Sequence, residues 1–148
     1  MEAFPRWIPN RAARMPHAFR DGFRTRGPAA MTDQEIDPLV RMSCVACRRG
    51  EPTVTDAEIA LLYPQILDWE VVDVADVRRL RRVFRFDDFG RSLAFTNRVG
   101  VLAEREAHHP ALLTEWGGTT VTWWTHKIKG LHRNDFIMAA KTDELYQA

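Results

Sequence analysis

The sequence predicts an α+β fold: a four-stranded antiparallel sheet with three helices on one face, in the order α-β-β-α-β-β-α. Three observations predict it. Two helical stretches open on N-cap signals and a third closes the chain. Between them lie two pairs of short β-rich runs, each pair joined by a turn-forming segment. Strands that follow one another through short turns pair antiparallel, and the intervening helices then cover the apolar face.

The first helix starts at Thr55-Asp56-Ala57-Glu58, a capping box with a hydroxyl at the N-cap and a carboxylate three residues on. Ile59, Leu62 and Ile66 follow at helical spacing, with Leu61 widening the stripe, and Pro64 is expected to kink the helix or end its regular part. Trp69 to Val72 reads as a strand, Asp73 to Asp76 as a turn and Arg79 to Phe86 as a second strand. Leu80, Phe84 and Phe86 share one face and Arg79, Arg81 and Arg85 the other, while Arg82 and Val83 interrupt the alternation. The arginines read as a solvated face, with anion binding as the alternative.

Asp87 or Asp88 caps a long helix from Phe89 to about Glu106, with Leu93, Phe95, Val99, Leu102 and Ala103 for its apolar surface. Gly90 and Gly100 weaken it locally. Pro110 forbids its continuation and pushes His109 toward an extended conformation. A third strand runs from Ala111 to Trp116, Gly117-Gly118 forms a two-residue turn, and a fourth strand runs from Thr119 to His126. On it Thr120, Thr122, Trp124 and His126 share one face, and Thr119, Val121, Trp123 and Thr125 the other. After a break at Gly130, the last helix spans Arg133 to Tyr146 with Phe136, Ile137, Ala140 and Leu145 inward.

At 148 residues the chain fits one domain. Residues 1–30 hold six of its 21 basic residues and two of its 20 acidic ones, so residues 31–148 carry 15 against 18, a net −3. A mildly acidic folded part argues against nucleic acid as the main partner. No apolar run is long enough for a signal peptide or a membrane span, and a cytoplasmic protein is expected. Residues 1–52 are expected to be a disordered leader followed by a loose arm, and 53–148 the ordered domain. The Arg-rich leader, with Pro5, Pro9, Pro16 and Pro28, has two readings: an over-extended start with Met31 as the initiator, or an organelle transit peptide. The arm carries Cys44-Val45-Ala46-Cys47. A lone CxxC lacks the four ligands of a structural zinc site, so reduced thiols are expected; metal shared across a dimer, or completed by a histidine, is the alternative.

The chemistry concentrates in His108-His109-Pro110 and His126, with Glu104 before the pair and Asp135 after the third histidine. Imidazole has an unperturbed pKa of about 6.5, so neighbouring histidines can divide the roles of acid and base. Pairing Trp116 with Thr119 across the turn and continuing outward places His109 opposite His126, with His108 at the preceding helix end. Adjacent strand residues point to opposite faces, which disfavours His108 and His109 chelating one ion, and no catalytic metal is expected. His17 and His132 read as surface or capping residues. Trp123 reads as core, and Trp124, on the His126 face, as core or as a stacking platform for a flat heterocycle.

Glu104-Arg105-Glu106-Ala107-His108-His109-Pro110, then Thr125-His126, Gly130-Leu131 and Asp135, resembles the signature of the pterin-4a-carbinolamine dehydratases, bacterial branch, over about residues 53–146. Members of that branch often carry a CxxC near the start, as Cys44 and Cys47 do here. Ala107 stands where some relatives have a polar residue, and His132 where a Ser or Thr is frequent. The resemblance implies dehydration of 4a-hydroxytetrahydrobiopterin to quinonoid dihydropterin plus water, without cofactor. It implies a homo-oligomer and a functional link to an aromatic amino acid hydroxylase. It points to His108 and His126 as the acid/base pair, to His109 as substrate-binding, and to Glu104 and Asp135 as supporting residues; Trp124, from its place on the His126 face, is expected to join His109 in substrate binding. Family members also serve as dimerisation cofactors or assembly factors, the alternative function.

Overall fold

The computed structural model describes residues 37–148; the expected leader lies outside the described residues. The element order is α1 (Asp56–Leu62), β1 (Glu70–Val74), β2 (Val77–Arg85), α2 (Phe89–Glu106), β3 (Ala111–Glu115), β4 (Gly118–Trp123) and α3 (Arg133–Gln147). The sheet is antiparallel in the order β1-β2-β4-β3. This is the α-β-β-α-β-β-α architecture that the sequence predicts, with one buried sheet face. Among the described residues no helix is long and apolar enough to cross a membrane.

The Thr55 capping box forms, and the helix gives way at Pro64 to a 3₁₀ turn over Tyr63–Gln65 that delivers Ile66 and Trp69 into the core. The β1–β2 hairpin turns tightly on Ala75 and Asp76, both at positive φ, so both strands reach further toward the turn than expected. On β2 the alternation is unbroken. Val83 faces outward, and Arg82 lies on the core side beside Leu80 and Phe84. Its guanidinium reaches the sheet margin, pairing with Asp143 at 2.7 Å and Asp68 at 2.9 Å over the Phe84 ring. Burial pushes the Asp143 carboxyl up, against the opposing pull of the Trp69 indole N–H and of Arg82.

The core lies between the sheet and the helices. Leu80, Phe84, Val121 and Trp123 meet Phe95, Val99 and Leu102 from α2 and Phe136, Ile137 and Met138 from α3. Two expected core residues are excluded. Leu61 is 56% exposed and Leu93 42%, because each lies outside the arc of its helix that faces the sheet.

Helix α2 ends in a Schellman turn: His108 N–H donates to Ala103 O at 3.1 Å and Ala107 N–H to Glu104 O at 3.2 Å. Ala107 occupies the left-handed position at φ 51°, where a Cβ costs energy that glycine avoids. Ala107→Gly should therefore raise stability by about 0.5–1 kcal/mol, read as a higher denaturant midpoint at unchanged m-value.

The β3–β4 register differs from expectation. Glu115 pairs with Gly118 and Thr114 with Thr119, so the turn residues are Trp116 and Gly117, the latter at φ +78°. Pairing also stops at Ala111↔Thr122. The ladder therefore does not set His109 opposite His126. β4 ends at Trp123, and Thr125 forms an isolated bridge to Gly130 that folds the chain back before α3.

Residues 37–52, expected as a loose arm, lie against the domain. Leu39 is fully buried and its N–H donates to Gln65 Oε1 at 2.8 Å. The segment lacks periodicity because it is held by isolated anchors, which a pattern search does not register.

Candidate active site

The Schellman turn sets the direction of His108. The chain leaves α2 sharply, so His108 turns inward and His109 outward. His108 is buried, its ring stacked on Trp123 at 5.8 Å. Its Nε2 lies 2.6 Å from Asp135 Oδ1. Asp135, in the first turn of α3, is fully buried. Its Oδ2 accepts from the Thr125 hydroxyl at 2.9 Å and from the His132 N–H at 2.7 Å. With donors on both oxygens the carboxylate is held in place. His108 Nε2 carries the proton of the shared bond, and Nδ1 is left as the ring's free nitrogen.

His109 is exposed, with Nε2 2.9 Å from Glu104 Oε1 at the rim. Beyond β4, Trp124 and His126 lie ring against ring at 4.3 Å, and the Arg79 guanidinium sits 4.2 Å over the indole. His108, His109, Trp124 and His126 all line one open cleft of about 460 Å³. The structure thus brings these four together, places Asp135 behind His108, and leaves Glu104 at the edge, bonded to His109.

The opposite wall comes from residues that the sequence reading did not place there. Cys44, Val45, Ala46 and Cys47 line the cleft, with Glu106, Lys127 and Asn134. Asn134 is buried and clamps the Val45 backbone, accepting its N–H at 3.1 Å and donating to its carbonyl at 2.7 Å. Glu106 accepts the Cys44 N–H at 3.2 Å and pairs with Lys141 at 2.6 Å. The available signal was the CxxC itself, in a segment otherwise without pattern. Burial pushes the Cys44 thiol up to about 12, helped by Glu106, and raises the Cys47 thiol as well. Both sulfurs are therefore neutral thiols at pH 7 and poor nucleophiles.

Burial acts to raise the Glu106 carboxyl, but the Lys141 ammonium and the Cys44 N–H outweigh it and hold the group below the usual glutamate range. A depressed carboxyl contributes stability that is present above its unfolded pKa of about 4.3 and is lost as pH falls through the lower folded value. Glu106→Gln should therefore lower the melting temperature at pH 7, with the gap to the parent closing below about pH 4. A gap that persists in acid would contradict this assignment.

The sequence profile described as Pterin 4 alpha carbinolamine dehydratase matches residues 52–145. A protein of Nitrosococcus oceani named pterin-4-alpha-carbinolamine dehydratase is 58% identical over 110 residues, covering 74% of this chain and 97% of the relative. One of the same name from Syntrophotalea carbinolica is 55% identical over 112 residues, covering 76% and 100%. The crystal structure of a transcriptional coactivator/pterin dehydratase from Brucella melitensis superposes with a TM-score of 0.57 at 26% identity, over 64% of this chain and 98% of that one.

Proposed function

The chain belongs to the pterin-4a-carbinolamine dehydratase family, and we propose that it carries out the dehydration in the cleft between His108 and His126. The protein is a hydro-lyase that converts 4a-hydroxytetrahydrobiopterin to quinonoid dihydropterin and water. The observation that carries the site assignment is the buried His108–Asp135 bond beside an exposed second imidazole in one cleft.

The reaction needs two proton movements. The C4a hydroxyl must gain a proton to leave as water, and N5 must lose one as the C=N bond forms. One neutral imidazole and one imidazolium suffice, with no redox step. His108 works through Nδ1, its other nitrogen being committed to Asp135; His126 supplies the second group from the exposed side. Trp124 offers the pterin a flat face, and His109, steadied by Glu104, orients it at the rim. A cleft of about 460 Å³ is of a size that takes a small bicyclic substrate.

Several finer statements belong to the same proposal. The protein is cytoplasmic, and it recycles the pterin of an aromatic amino acid hydroxylase. It is a homo-oligomer: β3 is an edge strand of the sheet, and Leu113 and the adjoining Trp116 are 57% and 76% exposed. The coactivator half of the Brucella protein's name favours a second reading, a protein-binding role. That role needs surface and not histidines, so the two readings separate on the activity of the purified protein. Purified protein given fresh 4a-hydroxytetrahydropterin should accelerate its dehydration, followed by ultraviolet absorbance, and a rate equal to buffer would sink the enzymatic assignment.

A further inference from the structure

The CxxC arm does more than wall the cleft. Cys47, Glu51 and His132 each offer a metal-ligating atom, and the three atoms lie within 4.8 Å of one another. They come from two distant segments. Gly50, at φ +84°, turns the arm so that Glu51 returns to the side of Cys47, and His132 is the N-cap of α3. Its Nδ1 accepts the Asn134 N–H at 3.2 Å, so the nitrogen facing the arm is Nε2, 3.7 Å from Glu51 Oε2. That carboxylate oxygen is shielded from solvent and accepts no hydrogen bond. A buried carboxylate oxygen without a donor is costly unless a cation meets it.

From these observations we infer that Cys47, Glu51 and His132 form a binding site for a thiophilic divalent cation, zinc by its chemistry, which staples the arm to the start of α3. One sulfur, one imidazole nitrogen and one carboxylate oxygen are a donor set that suits zinc and not magnesium or calcium. Tetrahedral bonds of about 2.0–2.3 Å separate neighbouring donors by about 3.5 Å. The three atoms must therefore close by about 1 Å, which a segment without helix or strand accommodates. Water takes the fourth position. Loading releases the Cys47 thiol proton to solvent and moves the imidazole proton from Nε2 to Nδ1. The long Asn134 contact is then given up, while the 2.7 Å bond from His132 N–H to Asp135 remains. The site is distinct from the proton-transfer pair, but Cys47 belongs to both the site and the cleft wall, so the metal fixes that wall.

Full-length protein stripped with a chelator and titrated with Co(II) should bind one equivalent. A thiolate-to-cobalt charge-transfer band should appear, together with visible bands of a tetrahedral ion, and Zn(II) should displace both. Cys47→Ser, Glu51→Gln and His132→Asn should each weaken binding at least tenfold; the last keeps an N-cap residue, and circular dichroism checks that each variant is folded. Cys44→Ser should bind as the parent does. No thiolate band at one equivalent would overturn the site, and so would loss of binding in Cys44→Ser with retention in Glu51→Gln, the signature of a simple dithiol. The readout needs no substrate, so its failure is separable from failure of the dehydratase assay.

Discussion

His126→Ala should lower kcat by about 10²–10⁴-fold, the contribution of a well-placed general acid or base, with little change in melting temperature. The side chain is exposed and its main contact is the Trp124 ring, so its loss opens no cavity, and surface changes of this kind stay within about 0.5 kcal/mol. KM should move less than kcat, since the proposed pterin contacts at Trp124 and His109 are left in place. Removing His108 as well should cost less than the product of the two single effects if both histidines act in one step. A variant within about threefold of the parent would remove His126 from the chemistry, threefold being small beside the 10²-fold minimum expected of an acid/base residue.

Asp135→Asn should damage both rate and stability. Asp135 accepts from His108 on one oxygen and from Thr125 and the His132 N–H on the other. An amide can serve only one side as acceptor. With its oxygen toward Thr125 and His132, its NH₂ faces His108 Nε2 and forces the ring to accept there, which puts the proton on Nδ1. The free nitrogen then carries a proton, and the neutral ring can no longer accept one there. A fall in kcat of about 10²–10⁴ is expected. The disturbed buried bonds should cost about 1–3 kcal/mol. Thr125→Val separates the two effects: it removes one donor to Asp135 but leaves the His108 bond, so it should lower the melting temperature while keeping activity within about tenfold, below the acid/base range. Equal losses of activity in both variants would reduce Asp135 to a structural role.

The helices were legible because their signals are local. Thr55 and Glu58 sit three residues apart, Asp88 caps α2 by accepting the Arg91 N–H, and Pro110 ends what precedes it. The inward face of β4 was legible by alternation alone: Thr119, Val121 and Trp123 are fully buried. Arg82 was misread as a break because a charged residue on a core face becomes intelligible only when Asp143 and Asp68 arrive to meet it. The β3–β4 register slipped because two glycines in succession allow two placements of the turn. Local pattern does not choose between Gly117-Gly118 and Trp116-Gly117; the pairing of β4 with β2, Phe84 opposite Thr119, does.

What the sequence determined by itself was the element order, the single buried sheet face and the identity of the titratable groups, because caps, periodicity and side-chain chemistry are properties of neighbouring residues. Only the tertiary structure decided which partner each group has. Asp135 bonds His108 across 27 positions, Glu106 and Asn134 hold an arm 62 and 89 positions away, and His132 faces Glu51. Such pairings depend on how α3 packs beside α2 and on where the arm docks. Those contacts are fixed by the burial of the whole core and by no local pattern.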